Sequence, residues 1–311
     1  MSRPGHATKA SRWRRMFTVP NIGSVTLGVT VFLLTVNWWD THVGAVAAAA
    51  LCALVTGVTW YIWWRVSRPR TISGAIEAPH LGTIPPISGT PAPTLTSPDS
   101  QATRAFADAA AGIDSKTHGQ VLLVSSPAPG HGSSTVALNL AVSATRAGRR
   151  VVLVDGDVGG GGLSRYGRTG AGTGLLDLAA GEANLAASSR LWTLDEQHRL
   201  PFIPRGTARP DPESTLASMA LADAVHDLTE HADLLLIDVA PVAWNDVAAP
   251  LATHADGTVL VVAEGAAQQN VAAAADRLAD VGAPVVGYIV NKAGLGDHSV
   301  QHPIARLLKR A

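Results

Sequence analysis

The chain has 311 residues, with 24 Lys+Arg matched by 24 Asp+Glu and a formal net charge of +0. That balance offers nucleic acid no electrostatic footprint, and none is expected as a partner. The single cysteine, Cys52, excludes a disulfide framework and a cysteine-based metal centre.

Residues 1–20 read as a basic cytoplasmic N-terminus, with Arg3, Lys9, Arg12, Arg14 and Arg15 and no acid. Residues 21–65 read as two transmembrane helices. The apolar stretches Ile22–Trp39 and Val43–Trp64 are each about the 20 residues that cross ~30 Å of hydrocarbon. Trp38, Trp39, Tyr61, Trp63 and Trp64 fit interfacial belts, and the flanking arginines predict that both ends of the hairpin lie in the cytoplasm. A signal peptide is the competing reading, but no small-residue cleavage site separates the two stretches.

Residues 66–100 are rich in Pro, Ser, Thr and Gly, which predicts a semi-extended tether with no core of its own. Residues 101–311 then alternate. Apolar, β-branched runs predict strands at Gln120–Ser125, Arg150–Val154, Asp233–Ile237, Thr258–Val262 and Val285–Val290. Helical patterns fall at Ser134–Ala147, Pro212–Thr229 and Gln268–Val281. Strand–helix alternation with continuously apolar strands predicts an α/β fold, a parallel sheet flanked by helices.

In such sheets ligands sit beyond the carboxyl ends of the strands. Three features fall there. The first is Ser125-Ser126-Pro127-Ala128-Pro129-Gly130-His131-Gly132-Ser133-Ser134-Thr135, a phosphate-binding loop from which the lysine is missing. Its glycines let backbone N–H groups curl around phosphates, and Ser134 occupies the position whose hydroxyl holds Mg²⁺. The second is Asp155-Gly156-Asp157, carboxylates suited to binding a metal or orienting a nucleophile. The third is Asp238, ahead of Pro241, a carboxylate of the kind that helps hold the metal. Each alone is weak, since strand-terminal aspartates often only cap helices. Their joint order along one chain is specific.

From Gln120 to Lys292 the chain resembles the MinD/ParA-like P-loop ATPases. More narrowly, it resembles the cytoplasmic domain of bacterial tyrosine autokinases that accompany polysaccharide co-polymerases. The loop Pro129–Thr135, Asp155-Gly156-Asp157, Asp238-Val239-Ala240-Pro241, Gly174-Leu175-Leu176-Asp177 with Gly181-Glu182, and the strand start at Asp256-Gly257 all follow that pattern. Leu81-Gly82-Thr83-Ile84-Pro85 resembles the segment that follows the membrane span of the co-polymerases. The resemblance implies ATP or ADP with Mg²⁺ held by Gly130, Gly132, Ser133, Ser134 and Thr135, with Asn291 against adenine. It implies Ser134, Asp155 and Asp238 at the metal and Asp155 and Asp157 as the catalytic pair. It also implies a multi-pass protein of the bacterial inner membrane working beside polysaccharide polymerase or export proteins, with a homo-oligomer as a further expectation.

The departures from the pattern are as informative. Ser133 replaces the lysine, Ala128 stands where MinD/ParA proteins carry a second one, and no lysine lies between Lys116 and Lys292. Gly159–Gly162 replaces the arginine after the second motif. The helix containing Arg104, Phe106 and Asp108 lacks most of the charges that drive ring assembly in the family. The C-terminal tyrosine cluster is absent. His131 could lend a cationic imidazole, but a helix N-terminus disfavours imidazolium, so a neutral surface histidine is expected. Arg146, Arg149 and Arg150 precede their strand and read as a solvated face. The expectation is a degenerate member with a vestigial catalytic pair and weak or absent nucleotide binding, acting as regulator or scaffold. Two alternatives stay open: an active ATPase or kinase completed by a partner's basic residue, and a nucleotide-free tether.

Overall fold

A computed structural model describes residues 30, 42–67, 74–87, 89–117, 120–159, 162–164, 172–241 and 248–291. The chain divides into two units at Arg70/Thr71. In the first, His42–Ser67 forms one helix, α1. Among the described residues no helix is long and apolar enough to cross a membrane. This overturns the span expected at Val43–Trp64 and the multi-pass inner-membrane location. The stretch Ile22–Trp39 lies outside the described residues apart from Thr30.

Among the described residues the second unit carries eight strands: β1 His80–Ile84, β2 Val121–Ser125, β3 Val151–Asp155, β4 Arg190–Thr193, β5 Arg199–Ile203, β6 Leu234–Asp238, β7 Gly257–Ala263 and β8 Val285–Asn291. Its helices are α2 Pro93–Thr96, α3 Gln101–Lys116, α4 Ser133–Arg146, α5 Leu175–Ala179, α6 Leu185–Ser188, α7 Pro212–Leu216, α8 Met219–His231, α9 Ala248–Ala252 and α10 Gln268–Asp280. The strands form one sheet in the order β1-β8-β7-β2-β6-β3-β5-β4. Every pairing is parallel except that of β4 with β5. The expected parallel sheet flanked by helices is therefore present.

Alternation along the central strands feeds two cores. Leu122, Val124, Leu153, Leu234, Leu236, Val259 and Val261 join Phe106, Ile113, Leu138 and Leu140 beneath α3 and α4. Val121, Leu123, Val152, Val154, Leu235, Ile237, Leu260 and Val262 pack against α5, α8 and α10 on the other face. A fully buried side chain of this size contributes about 1.5–3 kcal/mol. The two-sided burial explains why β2, β3, β6 and β7 read as unbroken apolar runs.

Two expectations change in detail, and a third gains a packing reason. The Pro-rich segment read as a tether is part of the body. Its residues His80–Ile84 add an edge strand beside β8, and Ile76, Leu81, Ile84, Ala92 and Thr94 are buried. Proline marks the ends of this strand, at Pro79 and Pro85, and leaves its ladder intact. Loss of charge from α3 also has a packing reason. A Cβ on Gly112 would meet the Leu81 carbonyl oxygen at 2.8 Å, and one on Gly82 would meet Ala109 Cβ at 3.0 Å. Small residues thus let α3 lie directly on β1. Finally, the expected helix Pro212–Thr229 breaks in two, because Ser218 Oγ accepts from Leu221 N–H at 3.2 Å and caps a new helix.

Candidate functional site

The loop between β2 and α4 turns on two glycines in the left-handed region, Gly130 at φ 84° and Gly132 at φ 90°. Gly132 is the N-cap of α4, so the free N–H groups of Ser133, Ser134 and Thr135 open toward the carboxyl edge of the sheet. A Cβ on Gly132 would lie 2.5 Å from Asn291 Nδ2. Gly132→Ala is therefore expected to cost about 1–2 kcal/mol in backbone strain alone. Thermal denaturation reads this as a fall in melting temperature, and an unchanged value would contradict the left-handed backbone at Gly132.

Two side chains behind the loop hold it. Asn291, 2% exposed at the end of β8, donates from Nδ2 to the His131 carbonyl at 2.9 Å. Its Oδ1 is buried without a partner. His131 Nδ1 accepts from the Ala263 N–H at 3.2 Å, at the end of β7. Burial pushes the His131 imidazole below its usual pKa, against the opposing pull of the Val261 backbone. With Nδ1 an acceptor, the ring is neutral and adds no charge to the loop. It is not the surface histidine expected, however, since it is only 8% exposed and wedges the loop against β7. Asn139 ties the next turn of α4. Its Nδ2 donates to the Thr135 carbonyl at 2.7 Å and to the Pro91 carbonyl at 2.8 Å, and its Oδ1 accepts from Thr94 Oγ1 at 2.6 Å.

The acidic group lies one and two strands away. Asp155 and Asp238 are register partners at the carboxyl ends of β3 and β6. Asp155, 1% exposed, accepts at Oδ1 from Asp157 N–H at 3.2 Å and at Oδ2 from Ser164 N–H at 2.6 Å. Burial raises its pKa, and the neighbouring Asp157 adds to that. Asp238 is fully buried, and neither of its oxygens has a hydrogen-bond partner. Burial first, then the charges of Asp155 and Asp157, push its carboxyl well above the usual range; only the nearby Ser134 hydroxyl pulls it back. Gly162 packs so closely on Asp155 that a Cβ there would overlap Oδ1. Gly160 and Gly161 lie outside the described residues.

A buried carboxylate without a donor, beside a hydroxyl and a second carboxylate, suits a hard cation with oxygen ligands that keeps several waters. The residues thus fit Mg²⁺, with Ser134 and Asp238 nearest. No group of three or more His, Cys, Asp or Glu suited to a metal occurs among the described residues, so solvent or ligand oxygens would complete such a shell.

Of the three arginines expected on a solvated face, only Arg150 is exposed, while Arg146 and Arg149 are half-buried. Arg150 pairs with Asp233 through Nε at 3.0 Å and NH2 at 2.5 Å, and Arg149 and Arg146 pair with Asp114 and Asp195. Another pair explains the Gly174–Asp177 and Gly181-Glu182 signatures. Buried Asp177 accepts from Gly174 N–H at 2.9 Å and Thr207 N–H at 3.0 Å. Arg209 bridges Asp177 to Glu182. Burial opposes ionisation of Asp177, but bonds from Thr207 and Gly174 and the charge of Arg209 hold its pKa below the usual range. This latch fixes residues 204–209 beyond β5. Sequence reasoning gave Asn139 no role of its own and missed the 204–209 turn, which carries no motif; Pro204-Arg205-Gly206 directly after an apolar strand was the available signal.

No family model matches the chain. Among curated proteins, the tyrosine-protein kinase CpsD of Streptococcus pneumoniae is 29% identical over 175 residues, 56% of this chain and 76% of CpsD. The succinoglycan biosynthesis transport protein ExoP of Rhizobium meliloti is 28% identical over 184 residues, 57% of this chain but 23% of ExoP. Among solved structures, the BceF tyrosine kinase domain superposes with a TM-score of 0.62 at 27% identity, covering 72% of this chain and 97% of that domain.

Proposed function

We propose that this chain, a relative of the bacterial tyrosine-protein kinases, is a degenerate member that holds a Mg²⁺-nucleotide weakly and does not transfer its phosphoryl group. It would serve as a regulator or scaffold for polysaccharide synthesis or export. The observation that carries the reading is Ser133. The residue that supplies charge to the outer phosphates is a hydroxyl, and the nearest imidazole, His131, is a neutral strut. Phosphoryl transfer relies almost wholly on positioning and charge stabilisation, so losing that cation harms turnover more than binding. The loop N–H groups and the α4 N-terminus still suit phosphate oxygens. Ser134 and Asp238 would hold a Mg²⁺ that neutralises phosphate charge. The polysaccharide setting is supported by the similarity to ExoP.

The test is autophosphorylation of the full chain with labelled ATP and Mg²⁺. No phosphotyrosine is expected. Phosphotyrosine that disappears in Asp155→Ala or Asp157→Ala would overturn the reading. It would favour instead a divergent kinase, which the surviving acidic set also suits.

A further inference from the structure

We propose that Arg205, a cation that no lysine motif marks, binds the terminal phosphate of a nucleoside triphosphate. The inference deepens the reading of the loop as a nucleotide cradle and rests on it. Arg205 lies two residues beyond the carboxyl end of β5, and β5 pairs with β3. It is therefore at the edge where ligands of parallel sheets sit, on the side of Asp155.

Its backbone is fixed at both poles. The N–H donates to Ser164 Oγ at 3.0 Å, and the carbonyl accepts from Leu176 N–H at 3.0 Å. Ser164 in turn donates its N–H to Asp155 Oδ2, so Arg205 is two hydrogen bonds from the buried acid. Gly206, at φ 87°, and the Asp177–Arg209 latch hold the turn that presents it.

The side chain is the unusual part. Nε is buried and has no partner. Among the described residues the guanidinium makes no ion pair or hydrogen bond. Buried donors are almost always satisfied, and a desolvated guanidinium N–H without an acceptor costs free energy. Arg209 also has an unpartnered Nε, but its terminal nitrogens are paired with Asp177 and Glu182. Arg205 is thus a cation with a buried, unpartnered N–H, on a turn whose backbone is tied through Ser164 to Asp155. A phosphate oxygen is the acceptor that satisfies it, and guanidinium geometry matches phosphate. Its position, two strands beyond β6, places it at the outer end of a triphosphate whose inner phosphates lie on the loop after β2.

Calorimetry on the full chain with Mg·ATP, Mg·ADP and inorganic phosphate tests this. Arg205→Gln is expected to weaken Mg·ATP binding about 10- to 100-fold and Mg·ADP binding by less than about 3-fold, with Arg205→Lys recovering part of the loss. Melting temperatures of both variants should stay near that of the unmodified chain, because the side chain makes no internal bond. Unchanged Mg·ATP affinity in Arg205→Gln overturns the assignment while leaving the cradle standing. Equal loss of ATP and ADP overturns the terminal-phosphate placement. Inorganic phosphate bound as tightly as Mg·ATP, and lost in Arg205→Gln, would make this a free-phosphate site and also overturn it. No nucleotide binding by the unmodified chain overturns the cradle and the assignment together.

Discussion

Ser133→Lys is expected to tighten Mg·ATP binding by about 10- to 150-fold, the range spanned by one charge-assisted hydrogen bond of about 1.5–3 kcal/mol. The rest of the loop is in place for it. Gly130 and Gly132 adopt the left-handed turn, α4 begins at Ser133, and Asn291 and His131 brace the loop from behind. Calorimetry with the full chain reads the gain directly. Phosphotyrosine is not expected to return, because one cation restores binding without restoring the geometry of transfer. Unchanged affinity would mean that the cradle does not receive phosphate and would remove the basis of the proposed function.

Replacing Asp238 should have the second large effect, and its direction depends on metal and pH. Burial and the nearby acids hold the Asp238 carboxyl above its usual range, and burial does the same for Asp155. Folded protein therefore keeps these protons at pH values where the unfolded chain has released them. Above the ordinary carboxylate range the native state binds more protons, so stability of the metal-free protein falls as pH rises. It is highest below the unfolded carboxylate pKa and declines through the raised folded values. Asp238→Asn removes the share of that decline that Asp238 contributes. It should raise the melting temperature of the metal-free protein at neutral pH, because the amide stays neutral at every pH, although it remains a buried polar group. Mg²⁺ added to the unmodified chain at neutral pH should raise the melting temperature, and the Asn variant should lose that response. Melting that is flat with pH and blind to Mg²⁺ would refute the buried-carboxylate account.

Much of this site is legible in the residue order. Periodicity marks β2, β3, β6, β7 and β8, because strands buried on both faces leave continuous apolar runs. Glycine spacing marks the turn at Gly130–Gly132, because only glycine adopts those dihedrals without strain. Position after a strand marks Asp155 and Asp238. Segments whose residues are paired by distant chain are not legible. β1 is hidden by flanking prolines and shows itself only as the neighbour of β8. β4 and β5 are short and partly exposed, with no periodic signal to separate them from a loop. The membrane expectation is overturned at α1, since no helix among the described residues is long and apolar enough to cross a membrane.

What the residue order determined by itself is local: which stretches can bury two faces, where the backbone needs glycine, and that Ser133 removed a charge from the phosphate loop. Tertiary structure decided everything that depends on who the neighbours are. It turned His131 into a neutral strut by handing Nδ1 the Ala263 N–H, and it left both Asp238 oxygens without a donor. It also brought Arg205, far from any motif, within two hydrogen bonds of Asp155. Charge and protonation are set by surroundings drawn from distant parts of the chain, and sequence order alone does not record those distances.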